Sequence, residues 1–132
     1  MYRAARAWGP CVEGCALVVP LAFSPRYDLD RANGTFARIG HPCYGESIAG
    51  CILVCPGVQG GVAGGWALLA MKARGIGFAG LVFGSVNPVM VQGAIAAEIP
   101  VLAGIDARIF DEVSTGMTLL VDPSDGSVLV LS

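Results

Sequence analysis

Few side chains in this sequence are equipped for chemistry, and they are scattered. The stretch PGVQGGVAGGW, from Pro56 to Trp66, follows the apolar run CILVC and has the form of a strand, a glycine-rich loop and a helix start. Such a loop presents backbone N–H groups beside the positive end of a helix, and these can hold a carboxylate or a phosphate. It contains no Lys, Ser, Thr, Cys or acid, so it supplies neither a nucleophile nor a base. It also lacks the Gly-Lys-Ser/Thr ending of a nucleotide-binding P-loop. The pattern leaves two readings open: an anion-holding turn, or a tight turn whose glycines let the chain pass beneath a neighbouring segment.

Two further segments are expected beside it. In GSVNP (84–88), Ser85 and Asn87 stand between a strand and a helix, where either can cap the helix and Asn87 can offer an amide to a ligand. In AGID (103–106), Asp106 is expected to cap the next turn. His41, the single histidine, precedes Pro42, which fixes an extended backbone there. It has the ordinary reading of a solvated loop side chain, against a role in proton transfer. No Ser-His-Asp or Cys-His arrangement can be argued. The five cysteines, at 11, 15, 43, 51 and 55, form two Cys-x3-Cys pairs, a looser spacing than structural zinc prefers. On a strand, Cys51 and Cys55 share a face but stand roughly 13 Å apart, too far for one ion. Buried, reduced thiols are expected instead, and no metal on this chain.

Composition narrows the partners. Only 14% of the residues are charged while 55% are hydrophobic, so the chain has more apolar surface than a domain of 132 residues usually hides. That excess suggests a protein partner. A formal charge of −2 gives no basic footprint for nucleic acid. Uncharged stretches run from Ser47 to Met71 and from Gly75 to Ala97, long enough to span a bilayer. Pro56, Asn87, Pro88, Gln92 and the glycine clusters break them into strand-length and helix-length pieces, so no membrane span is expected. Arg3 and Arg6 before ALVVPLAF resemble a signal peptide only faintly, because Glu13 and Pro20 interrupt it and no cleavage site follows. A cytoplasmic location is the default expectation.

The elements that must position these residues follow from periodicity. GCALVVPLAF (14–23) reads as a strand that Pro20 places at an edge or bulge. Asn33-Gly34 signals a turn before the short run TFARIG. CILVC is apolar on both faces, as a buried parallel strand requires. Trp66, Leu69, Ala70 and Ala73 keep helical spacing, with Gly75 as the cap. AGLVFG (79–84) and IPVLAG (99–104) are further strands. Between them Pro88 opens a helix that carries Val89, Met90, Gly93, Ala94 and Ala97 on one face. DARIFDEV is a short helix or turn, and MTLLVD and SVLVLS make a hairpin about Asp125-Gly126. Right-handed crossovers make strands 51–55, 79–84 and 99–103 parallel. The expected fold is α/β: a compact barrel-like or sandwich domain with parallel central strands and flanking antiparallel strands.

In order along the chain, GCALV (14–18), Phe23-Ser24, the Asp28 to Gly34 turn, Gly40-His41-Pro42, GESIAG (45–50), the glycine loop, Asn87-Pro88, GAIA (93–96) and Ile99-Pro100 resemble the aconitase X small subunit or swivel domain. The resemblance runs from about Gly14 to Val130. It implies a swivelling β/β/α domain over residues 1–132, with about 1–13 as an N-terminal extension. It also implies an aconitase X-type large catalytic subunit carrying iron, usually as an iron–sulfur cluster, with no cofactor on this chain. Together the two would dehydrate a small hydroxy acid, 5-phosphomevalonate and cis-3-hydroxy-L-proline being substrates known in the family. The family's loop is similar to Arg-Gly-Ser followed by further serines and a glycine, its first serine the proton acceptor. Here Gln59 stands for the Arg, Gly60 for the Gly, Gly61 for the reactive serine, Val62 and Ala63 for the next serines, and Gly64 for the closing glycine. The resemblance therefore implies substrate holding by Gln59, Gly60, Val62, Ala63, Gly64 and Asn87, with the catalytic hydroxyl absent at Gly61. The alternatives are a non-catalytic structural or regulatory partner of such a lyase, or a stand-alone small-acid binding module.

Overall fold

The computed structural model describes residues 1–24, 28–30, 32–58 and 62–132, with 62–66 as backbone only. Its strands are β1 (Tyr2–Arg3), β2 (Arg6–Trp8), β3 (Val12–Val18), β4 (Leu29–Asp30), β5 (Thr35–Phe36), β6 (Cys51–Cys55), β7 (Gly80–Phe83), β8 (Val101–Ala103), β9 (Thr118–Asp122) and β10 (Ser127–Val130). Its helices are α1 (Val62–Ala73), α2 (Pro88–Ala96) and α3 (Ile109–Glu112). Among the described residues, none of these helices is long and apolar enough to cross a membrane.

The main sheet has the order β1-β10-β9-β3-β6-β7-β8-β2. Its centre, β3-β6-β7-β8, is parallel, as the β-α-β pattern requires for β6-β7-β8, and antiparallel strands flank it on both sides. This is the expected α/β arrangement, though not a closed barrel. Sequence-adjacent β1 and β2 lie at opposite edges, pairing with β10 and β8. The link between them, Ala4-Ala5, donates backbone N–H groups to Gly126 O at 2.9 Å and Gly104 O at 3.2 Å. The N-terminal segment therefore clasps both edges of a curled sheet.

Both faces of the sheet are covered. Leu17, Leu53, Cys55, Leu81, Phe83 and Val101 face α1 and α2, packing on Leu68, Met71, Met90 and Ala94. Ala16, Ile52, Val54, Val82 and Leu102 face the other way, against Leu119, Val121, Val128 and the α3 segment with Ile109 and Val113. CILVC needs apolar side chains throughout because each face meets a core, and each such burial is worth about 1.5–3 kcal/mol.

Three sequence expectations shift. β3 ends at Val18, before Pro20, so it is a central strand between β9 and β6 and not an edge. The buried face of α1 carries Ala67, Leu68 and Met71, while Ala70 and Ala73 are exposed. That helix is apolar nearly all round, so its periodicity carried little information about phase. TFARIG contributes only Thr35–Phe36, which pairs with Leu29–Asp30 around the turn at Gly34, a residue at φ 69°.

Candidate functional site

The C-terminal ends of the parallel strands are tied together in a row. Phe23 N–H donates to Gly57 O at 2.9 Å, Gly84 N–H to Cys55 O at 3.1 Å, Ser85 N–H to Pro56 O at 3.0 Å, and Gly104 N–H to Gly84 O at 3.1 Å. Such a rim is where ligands of open α/β sheets gather. Close approach constrains its Gly84 more than its Gly57. A Cβ on Gly84 would lie 2.6 Å from Pro56 O, and one on Gly57 would lie 3.2 Å from Ser85 Oγ. Close passage therefore accounts for Gly84 on the neighbouring strand end, whereas Gly57, in the loop stem, meets only the end of an exposed side chain.

Gln59, Gly60 and Gly61 lie outside the described residues. Val62, Ala63 and Gly64 form the start of α1, the position from which a helix offers its unpaired N–H groups. Asn87, on the neighbouring strand end, caps α2 as expected, its Oδ1 accepting Met90 N–H at 2.8 Å with Pro88 in the first turn. Ser85 is exposed and Asn87 takes the capping role. Asp106 caps its turn by accepting Arg108 N–H at 3.0 Å, and the same guanidinium holds its carboxyl below the usual carboxylate range. Asn87 also lines a cavity of about 260 Å³ with Arg6, Trp8 and Gln92. Arg6 and Trp8 escaped the sequence reading because they arrive on edge strand β2, and nothing local in their neighbourhood announces that pairing.

His41 is not solvated. Its side chain is 1% exposed, stacks on Phe36 with centroids 4.8 Å apart, and accepts Cys43 N–H at Nδ1 over 3.0 Å. Its Nε2 faces Asp28 Oδ2 at 3.9 Å. Asp28 is itself fully buried and ion-paired to Arg38 at 3.2 Å. A buried carboxylate in the Asp28–Gly34 turn carries no periodic signature, which is why sequence reading passed over it.

The cysteines divide. Cys43 and Cys55 are buried and Cys51 half-buried, whereas Cys11 and Cys15 are exposed, against the expectation that all are buried. Burial pushes the Cys55 thiol up to about 12 and raises those of Cys43 and Cys51. Cys55 Sγ donates to Gly57 O at 3.0 Å and Cys51 Sγ to Ser47 O at 3.4 Å. With a disulfide-exchange reagent at pH 8, Cys11 and Cys15 should react within minutes, and Cys55 only when the chain unfolds. Rapid labelling of Cys55 in the folded chain would overturn this assignment.

A model of the aconitase X swivel domain matches residues 1–130. The phosphomevalonate dehydratase small subunit of Methanothrix thermoacetophila is 33% identical over 95% of this chain and 96% of its own length. That of Thermococcus kodakarensis is also 33% identical, over 93% of this chain and 90% of its own. The crystal structure of Thermococcus kodakaraensis aconitase X in its holo-form superposes with a TM-score of 0.90 at 28% identity, covering 100% of this chain and 99% of that one. The solution structure of a UPF0107 protein superposes at 0.91 and 30% identity, with both chains covered fully. A family model that spans residues 1–130, with a relative 33% identical over 95% of the chain and a solved structure of the same name superposing along all of it, makes the chain a member of the aconitase X swivel-domain family.

Proposed function

We propose that this chain is the small subunit of a hydro-lyase that dehydrates a small hydroxy acid together with an iron-carrying large subunit. The observation that supports the reading is the row of strand ends, in which the stem of the glycine loop is hydrogen-bonded to Ser85, two residues before Asn87. An anionic substrate is recognised there by backbone N–H groups and carboxamides. In this reading Gln59, Gly60, Val62, Ala63, Gly64 and Asn87 orient the acid, and Arg6, in the cavity beside Asn87, supplies positive charge where the loop has Gln59 for the family's arginine. Gly61 offers no hydroxyl, so the proton acceptor comes from the large subunit. Iron bound there supplies a Lewis acid for the departing hydroxyl. The relatives bear the name phosphomevalonate dehydratase, which makes 5-phosphomevalonate the first substrate to assay.

The test is co-purification with an aconitase X-type large subunit, followed by iron analysis and assay for loss of water from hydroxy acids. The pair should be active and the small chain alone inactive and free of iron. In the active pair Gln59→Ala and Asn87→Ala should each slow turnover about tenfold, through lost orientation. An active or iron-loaded small chain would sink the proposal. A stable pair that dehydrates nothing, or whose turnover neither substitution changes, would favour a structural or regulatory partner. Absence of any complex would favour a stand-alone binding module.

A further inference from the structure

We propose that Asp28 and His41 are positioning residues for the stem of the glycine loop, acting through the segment Phe23–Ser24. The inference rests on the reading of that loop as the substrate-facing element.

The chain of contacts is short. One oxygen of the buried Asp28 carboxylate accepts Ser24 N–H at 2.8 Å, and the other accepts Arg38 Nη1–H at 3.2 Å. The Asp28 backbone is fixed on both sides, its N–H donating to Ser24 O and its carbonyl accepting Ala37 N–H, each at 2.8 Å. Phe23, next to Ser24, donates to Gly57 O and lies in a parallel bridge with Val58, the last described residue before the loop. The carboxylate is thus one residue removed from the hydrogen bond that holds the stem. On its other side, Cys43 N–H donating to Nδ1 places the ring proton of His41 on Nε2. Among the described residues that buried Nε2 has no hydrogen-bond partner, and it faces Asp28 Oδ2 at 3.9 Å, the oxygen that holds the Ser24 amide.

An apolar side chain beside Phe36 would fill the same space without desolvating a charge. A buried carboxylate is tolerated where its oxygens are bonded, and here one of the two oxygens of Asp28 is spent on the segment that touches the loop stem. His41 is no candidate for the missing base, because Nδ1 is occupied and Nε2 points inward. Its contribution is to aim the Nε2 proton at Oδ2, the carboxylate oxygen that Arg38 does not bond.

Three variants test this in the two-subunit protein and in the small chain. Arg38→Gln alters a side chain that is 58% exposed and leaves the core intact. His41→Phe keeps the ring on Phe36 and removes both nitrogens, whereas His41→Gln returns an N–H near the place of Nε2. Amide exchange of the small chain should quicken about tenfold at Phe23 and Ser24 in Arg38→Gln and His41→Phe, while Leu53 and Val82 keep their protection. In the active pair the same two variants should lower kcat/KM about tenfold with assembly unchanged, and His41→Gln should recover most of it. Folded variants with ordinary exchange at Phe23 and Ser24, or Phe and Gln performing alike, would overturn the proposal. If no acid is dehydrated by the wild-type pair, the functional reading fails and the exchange measurement still decides the positioning role.

Discussion

Removal of residues 1–8 should leave a chain that no longer folds cooperatively. Tyr2 is buried, and its hydroxyl donates to Glu112 Oε1 at 2.6 Å, tying β1 to α3. Burying such a ring contributes about 1.5–3 kcal/mol, and a hydrogen bond to a carboxylate about as much again. The ladders to β10 and β8, and the Ala4 and Ala5 bonds to Gly126 and Gly104, each add about 1 kcal/mol. The total approaches the whole stability of a domain this size, about 5–15 kcal/mol. Urea unfolding followed by circular dichroism should show a cooperative transition for the full chain and none for the truncated one. An unchanged midpoint after truncation would mean that the clasp adds nothing to the sheet.

The second large effect is expected at Gly84. A methyl group there meets Pro56 O at 2.6 Å, and both partners are backbone held by hydrogen bonds on each side. Neither can yield without parting β6 from β7, so Gly84→Ala should cost about 1–3 kcal/mol and lower Tm by roughly 5–15 °C. Gly57→Ala is the control. Its methyl meets Ser85 Oγ at 3.2 Å, the end of an exposed side chain that can rotate away, so it should change Tm by no more than about 2 °C. Thermal unfolding of the two variants side by side checks the contrast. Equal behaviour would show that the strand ends have more room than their separation implies.

The parallel centre was legible because CILVC and GLVF are too short and too apolar for anything but doubly covered strands. Gly34, Gly75 and Gly126, all at positive φ, were legible as turns for the same local reason. Asn87 was placed correctly at the start of α2 because capping depends on nearest neighbours only. What escaped is non-local. Nothing near Arg6 or Trp8 says that they line a cavity with Asn87, and nothing near His41 says that Phe36 and Asp28 enclose it. The faces of α1 were misjudged because a helix apolar on every side offers no contrast from which to read its phase.

The clasp also bears on how the chain is made. Tyr2 finds its partner at Val128, and Trp8 finds its own at Val101, so both strands wait for partners that lie far along the chain. Contacts of such long sequence separation slow folding, because the loop must close before the bonds repay its entropy. Until β8 to β10 emerge, the nascent chain must carry the apolar CILVC and GLVF strands without the edges that will enclose them. For a chain this rich in apolar residues, that interval is when aggregation competes most strongly with folding.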